Sequence, residues 1–416
     1  MNVFKFGGAS VKDADAVRNV AHILQKTGTE STVVVVSAMG KTTNALERVV
    51  AAYFNTPRQM HQELLEIKAV HLSIVKALFE KTTDIELRIQ ELFDEMEGFL
   101  NRNQSPDYSF VYDQLVSYGE LLSTIIIHHY LLANGLHNDW LDARRCIKTD
   151  AYYRNAHLNW DTTQQRIKEQ VQPKNLTITQ GFIGSDTHNF TTTLGREGSD
   201  YTAAIFAYAL NAVSVTIWKD VPGVLNADPR YFDQTVLLEQ ISYREAIELA
   251  FYGASVIHPK TLQPLQRKEI PLFVKSFDNP ENPGTAVSKG KTLIPETPCF
   301  IMKQEQVLLR LSSLDFSFIV EDTISEIFGL LHKYQMRVEL IQNSAISFSV
   351  CLSNKYHRLE ELLQALRSKF NVQVYEDVTL YTIRHFNDAA IRRIKSKKET
   401  VLLEQRTQET LQLLVQ

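Results

Sequence analysis

Cysteine is scarce in this chain. Cys146, Cys299 and Cys351 are scattered over 416 residues and odd in number. Neither a disulfide framework nor a zinc-ligand spacing can be built from them, and a reducing, cytoplasmic setting is expected. An excess of one charge is also missing. Lys plus Arg number 44 against 48 Asp plus Glu, a formal net charge of −4. Bulk electrostatics therefore draw the chain neither to nucleic acid nor to an anionic membrane surface. No apolar run has the length of a bilayer crossing: the richest, residues 124–136, is interrupted by His128-His129. Met1 leads straight into a strand pattern with no basic segment before an apolar run, so no signal peptide is expected. Residues 58–100 read as helical throughout and hold no glycine before Gly98. This insertion is expected to form a helical hairpin over one sheet edge, its charges making a solvated face.

What is present alternates. Up to about residue 290, strand signals at residues 3–6, 32–36, 176–179, 213–218 and 272–274 are separated by helical patterns. That order predicts an α/β fold, a mostly parallel sheet sandwiched by helices. Residues 277–285 read as a loop and 291–298 as a linker. Residues 305–374 then read strand, helix, strand, strand, helix, strand. The tail opens on a strand at 378–384 and offers one short helix and strands at 400–405 and 410–415. That is too little for a second full copy, so the second unit is truncated or borrows a strand such as residues 299–303. The expected division is residues 1–296 and 297–416, with a unit at about 305–374 and a truncated one at about 375–416.

Two glycine-rich turns carry the first chemical signal. In Thr193-Leu-Gly-Arg-Glu-Gly-Ser-Asp200, Gly195 and Gly198 bracket Arg196, Ser199-Asp200 follow, and an apolar helical run starts at once. Such a turn offers unpaired backbone N–H groups and about half a positive charge to an anion. Near the start, Lys5 ends a strand before Gly7-Gly8. Lys5 is there either a surface lysine or a cation reaching phosphate oxygens, with both glycines allowing close backbone approach. Two such turns, far apart in sequence, predict a polyphosphate site beside a second charged substrate. Gly40-Lys41-Thr42 imitates the end of a P-loop, but that motif needs a glycine where Val35 stands. Ser37 and Thr43 are then hydroxyl donors at a strand-to-helix turn, or simple helix caps.

Glu120 follows Gly119 in a helical pattern with apolar neighbours Leu115, Val116, Leu121 and Leu122. A carboxylate buried there needs a cationic partner, and a substrate ammonium would serve. Trp218-Lys-Asp-Val-Pro-Gly-Val-Leu-Asn-Ala-Asp-Pro-Arg230 follows a strand. Its Asp220 and Arg230 fall where open α/β sheets bind ligands, although turn chemistry alone also accounts for them.

These segments together resemble the aspartokinases of the amino acid kinase superfamily. The stretches that match are Lys5-Phe-Gly-Gly-Ala-Ser-Val11, Ser37 to Asn44, Ser117-Tyr-Gly-Glu-Leu-Leu-Ser123, Thr179-Gln-Gly-Phe-Ile-Gly184, Thr193 to Thr202, Trp218 to Arg230, and Gly253-Ala-Ser-Val-Ile-His-Pro259. The C-terminal units are similar to paired ACT regulatory domains, ferredoxin-like α+β modules. The resemblance implies ATP-dependent phosphorylation of the side-chain carboxylate of L-aspartate to 4-phospho-L-aspartate, the first step toward lysine, threonine and methionine. That carboxylate has a pKa near 3.9, so it is already an ionised nucleophile and needs no general base. By resemblance Lys5 and Asp200 are catalytic. Ser37, Thr43, Glu120, Arg196 and Ser199 hold the amino acid. Lys5, Gly7, Gly8, Gly195, Lys219, Asp220 and Arg230 serve the nucleotide. Magnesium is expected with ATP, without a protein cage of its own.

The departures are specific. Ala9 replaces the usual threonine of the first motif, and Ser255 stands where many members carry a lysine. Lys219 is expected to supply the missing cation at the nucleotide phosphates. The effector region, residues 312–326 and 338–344, would take lysine or threonine, but residues 318–323 lack the usual glycine before the helix. Weak or absent feedback inhibition by lysine is therefore expected. The ACT units are expected to build a homodimer or higher homo-oligomer through edge strands. Two alternatives stand beside this reading: a kinase for another carboxylate substrate, and an inactive amino-acid-binding regulatory protein.

Overall fold

The computed structural model describes residues 1–254, 257–290, 293–315, 317–396 and 400–416. Ser255, Lys291 of the expected linker and Phe316 of the expected effector segment lie outside the described residues. The chain divides into two compact units. The first comprises residues 1–224, 237–247 and 256–295; the second comprises 225–236, 248–255 and 296–416.

In the first unit the strands are β1 (Asn2–Phe6), β2 (Thr32–Val36), β3 (Asp139–Leu141), β4 (Leu176–Gln180), β5 (Ile183–Ser185), β6 (Thr191–Thr193), β7 (Ser214–Lys219), β8 (Gln240–Ser242), β9 (Leu272–Ser276) and β10 (Thr285–Ser288). The main sheet runs in the order β3-β4-β2-β1-β7-β9-β10-β8, and β5 and β6 form a separate hairpin. Among the described residues the main-sheet pairs β3–β4, β4–β2, β2–β1, β1–β7, β7–β9 and β10–β8 are parallel and β9–β10 is antiparallel. The Thr-Val-Val-Val-Val run of β2 is buried at every position. Such a continuous β-branched run suits a central strand covered on both faces.

The helices are α1 (Ala14–Thr27), α2 (Thr42–Asn55), α3 (Pro57–Leu78), α4 (Thr83–Arg102), α5 (Tyr108–Val116), α6 (Tyr118–Ala133), α7 (Trp160–Gln170), α8 (Gly198–Leu210), α9 (Tyr243–Tyr252) and α10 (Pro259–Lys268). The glycine-poor insertion is the pair α3 and α4, which touch each other and are broken at residues 79–82. Helix α8 lies against β1, β2 and β7. It is buried almost all round, and its Ala203, Ala204 and Ala207 allow that close approach. No helix among the described residues is long and apolar enough to cross a membrane.

The second unit carries β11 (Cys299–Ser313), α11 (Glu321–Lys333), β12 (Arg337–Asn343), β13 (Ser347–Ser353), α12 (Leu359–Arg367), β14 (Phe370–Arg384), α13 (Asp388–Lys395), β15 (Val401–Arg406) and β16 (Thr410–Val415). These form one antiparallel sheet in the order β12-β13-β11-β14-β16-β15, the expected α+β architecture. Residues 299–303 pair with 380–384, and 308–313 pair with 370–375. The expected boundaries at 304/305 and 374/375 thus fall inside the continuous strands β11 and β14. Leu309, Leu311, Ile327, Leu331, Phe348, Leu362 and Leu366 form one core, and Phe300, Tyr381, Ile383, Ile394, Leu411 and Leu413 another.

Candidate active site

The site grows from the carboxyl ends of β1 and β7. These neighbours are in register, Phe6 opposite Trp218. From β1 the chain proceeds to β2 on one side, and from β7 it reaches β9 on the other. A crevice opens where such connections diverge, and ligands of open α/β sheets bind there. Lys5 is the penultimate residue of β1 and only 8% exposed; Lys219 ends β7. Asp200 stands in the first turn of α8, 2% exposed. The Lys5 ammonium lies 2.7 Å from Asp200 Oδ1, and that of Lys219 lies 3.5 Å from Oδ2. Burial pushes the Asp200 carboxyl up, but Lys5 and then Lys219 more than offset this and hold its pKa below the usual carboxylate value. Two cations share one carboxylate under a helix N-terminus, so the cluster is short of negative charge.

A cleft of about 310 Å³ opens onto this cluster. The β2–α2 connection lines it with Ser37, Ala38, Gly40 and Thr43, and the loop into α8 with Gly195, Glu197, Gly198 and Ser199. Gly8 lies so close to this connection that a Cβ would sit 2.9 Å from the carbonyl oxygens of Ala38 and Gly40. The sequence keeps the backbone bare there, as a phosphate cradle requires. Gly195 adopts φ +76°, which disfavours any side chain. Glu197 adopts φ 53°, unusual for a residue with a Cβ, and its Oε2 is buried without a hydrogen-bond partner among the described residues.

Glu120 reaches the same cleft from the first turn of α6, 3% exposed. Its Oε1 accepts the Ala38 N–H at 3.2 Å, and its Oε2 has no hydrogen-bond partner among the described residues. Burial pushes its pKa up to about 8, against the pull of the Ala38 N–H and the Lys5 charge. An orphaned oxygen beside an open cleft fits a ligand cation. Asp113 is a contrasting buried carboxylate. It accepts the N–H groups of Arg154 and Thr193 and the Thr193 hydroxyl. It ties the loop before α7 to β6, and burial pushes its pKa up to about 6.

Of the residues singled out in the sequence, the structure brings Lys5, Gly8, Ser37, Thr43, Glu120, Gly195, Ser199, Asp200 and Lys219 to one cleft. Gly7 precedes the turn that begins at Gly8, and its Cβ position lies 3.2 Å from Lys5 Nζ. Arg196 is exposed between two cleft residues, Gly195 and Glu197, and Asp220 is exposed after β7. Arg230 belongs to the second unit, where its guanidinium grips both oxygens of Asp228. Sequence reasoning gave no role to Ala38, Gly40, Phe182 or Glu197, which also line the cleft. Phe182, at φ 69°, follows Gly181 in the stretch Thr179 to Gly184, and that Gly-aromatic step is its signal in the sequence. No group of three or more His, Cys, Asp or Glu side chains among the described residues could hold a metal ion.

An open parallel sheet with two lysines about one carboxylate at its switch point defines a protein that handles anionic groups at the carboxyl edge of its strands. The pattern described as the amino acid kinase family matches residues 1–276. The chain is 33% identical over 391 residues to the lysine-sensitive aspartokinase 3 of Escherichia coli K12, covering 92% of this chain and 86% of that protein. It is similar to the crystal structure of Escherichia coli aspartokinase III with lysine and aspartate: TM-score 0.83, 31% identity, all of this chain and 96% of that one covered. The complex of aspartokinase III with aspartate and ADP gives a TM-score of 0.82 at 30% identity with the same coverage. The chain therefore belongs to the amino acid kinase family, among its aspartokinases.

Proposed function

We propose that this protein transfers the γ-phosphoryl group of ATP to the side-chain carboxylate of L-aspartate, giving 4-phospho-L-aspartate and ADP in amino-acid biosynthesis. One observation carries the reading. A cation cluster on Asp200 and a buried carboxylate with an orphaned oxygen, Glu120, face one cleft. The cluster suits a triphosphate, and Glu120 suits an α-ammonium. In the reaction a carboxylate oxygen forms its bond to the γ-phosphorus, the bond to the bridging oxygen breaks, and ADP leaves with that electron pair. Lys5 neutralises charge building on the transferred group while Asp200 holds the ammonium in place. Arg196 forks onto a substrate carboxylate, and the hydroxyls of Ser37, Thr43 and Ser199 orient it. Gly7, Gly8 and Gly195 give the phosphates backbone room, and Asp220 stands beside the nucleotide site. Both Asp200 oxygens already face lysines. Mg²⁺ is carried in by the phosphate oxygens of ATP.

The test is ADP release and hydroxamate trapping with aspartate, and with glutamate as the control. Product with aspartate alone supports the proposal; product with glutamate alone, or none at all, overturns it. In the same assay sub-millimolar lysine is expected to leave the rate unchanged. Helix α11 starts after Val320, which is extended and gives no side-chain cap, and residues 317–323 hold no glycine. Clear inhibition would refute that expectation. The second unit, with β12 and β15 at its sheet edges, is the proposed seat of a homodimer or higher homo-oligomer, which a light-scattering mass checks.

Lys219 takes the role of the cation that position 255 lacks. Lys219→Ala is expected to raise the KM for ATP, or lower turnover, by about tenfold, the value of one charge-assisted contact. Wild-type kinetics in that variant would remove Lys219 from the nucleotide site.

A further inference from the structure

A second cationic hollow lies in the first unit and shares no lining residue with the active-site cleft. Its volume is about 410 Å³, and Arg144, Arg145, Lys148, Arg166, Ser185 and Asn189 line it. Three elements build it: the segment after β3, the outer face of α7, and the β5–β6 hairpin. Four cations converge here, and the nearby carboxylates are already engaged. Asp142 is held by Arg144 through three contacts of 2.7–3.2 Å. Asp186 accepts the N–H groups of His188 and Phe190 and the Tyr153 hydroxyl, closing the hairpin turn. Glu169 reaches Arg166 only at 3.6 Å, between exposed side chains.

Two cations are left over. Arg145 and Lys148 have no ion pair among the described residues. The Lys148 ammonium is held by neutral oxygens instead, Ser185 Oγ at 2.7 Å and Asn189 Oδ1 at 3.3 Å. Burial and then the charge of Arg166 lower its pKa, as expected for an ammonium lacking a counter-charge. Arg144 is pinned by Asp142 and by its own carbonyl, which accepts the Ser185 hydroxyl at 2.8 Å. Of the cations that face the hollow, Lys148 is thus held in place before any ligand arrives, which lowers the cost of binding one.

We propose that this hollow is a second anion site, taking a phosphate-bearing small molecule on Arg145, Lys148 and Arg166. Its volume exceeds what one phosphate needs, so the occupant is a polyphosphate or the phosphate end of a larger metabolite. The hairpin that forms one wall continues through β6 into the Gly195–Gly198 loop of the active site.

The test is calorimetric titration of the full chain at fixed ionic strength, one arm with inorganic pyrophosphate and the other with ribose 5-phosphate. Saturable binding is expected in at least one arm, and the tighter arm identifies the kind of occupant. Arg145→Ala and Arg166→Ala should each weaken it by about tenfold. Lys5→Ala, which disturbs only the active-site cleft, should leave it intact. Arg145 is exposed, so its variant should fold and keep wild-type turnover with ATP and aspartate. Absence of saturable binding in both arms overturns the proposal. So does a titration in which the one saturable site survives both arginine variants, or disappears in Lys5→Ala.

Discussion

Lys5→Ala is expected to lower kcat by roughly a thousandfold, with a much smaller change in the KM for aspartate. The size follows from removing a preorganised charge from a site shielded from water, where one such donor supplies roughly 3–4 kcal/mol of transition-state stabilisation. Lys5 is 8% exposed, and its ammonium lies 2.7 Å from Asp200 Oδ1. Water therefore screens it poorly, and its position is fixed before substrate binds. Lys5→Arg should not rescue the loss. A planar fork cannot occupy a place sized for an ammonium that already lies 3.2 Å from the Cβ position of Gly7. Asp200 in Lys5→Ala keeps Lys219 at 3.5 Å, so the carboxylate is not left alone and the fold should persist. Steady-state kinetics beside a thermal midpoint separate the two effects. A folded Lys5→Ala protein with turnover within an order of magnitude of wild type would remove Lys5 from the reaction.

Much of this site was legible because its residues sit where backbone chemistry is forced. Gly7-Gly8 and Gly195 announced themselves as turns, and Asp200 followed a glycine into an apolar helical run. Their meeting in space came from the family resemblance, because local pattern alone does not provide it. That Lys5, Asp200 and Lys219 meet depends on β1 and β7 being adjacent, and strand order is set by packing, not by local pattern. The short elements were also hidden. Strands β3, β5, β6 and β8 have three residues each, too few to show a period of two. Residues 277–285 do read as loop, but Thr285 begins β10. In the second unit the sequence breaks after residue 375, whereas β14 runs on to Arg384. The turn signal is real, because Asp377 and Glu305 adopt left-handed φ of 53° and 56°. The register shifts between Lys303 and Gln306. Each strand bends at a bulge and continues, so a local punctuation mark did not become an end. Glu120 shows the converse limit. Its neighbours predicted burial, but only coordinates distinguish an oxygen met by a backbone N–H from one left without a partner.

That unpartnered oxygen sets the second large expected effect. Glu120→Gln should raise the KM for aspartate about thirtyfold, the value of a buried hydrogen bond between charged groups, with little change in kcat. The pH dependence distinguishes a ligand contact from a structural one. Burial holds the Glu120 pKa at about 8 in the free protein, so at neutral pH the group is mostly protonated. An arriving α-ammonium favours the carboxylate, so binding expels a proton. The KM for aspartate should therefore fall as pH rises from 6 toward 8 and level off above it, a slope absent in Glu120→Gln. Stability should move the other way. The unfolded chain ionises this group near its ordinary value of 4.5, whereas the folded chain resists until about 8. Stability from this group is thus complete below that lower value and declines with rising pH through the window. Glutamine escapes the penalty, by at most roughly 3 kcal/mol at pH 7. The variant should be more stable than wild type at pH 8 without ligand, and the two should converge at pH 5. Thermal midpoints at both pH values, read beside the KM profile, check both halves. A less stable Glu120→Gln at pH 8, or an aspartate KM that keeps its slope, would show that Glu120 has a partner within the protein and that the substrate ammonium binds elsewhere.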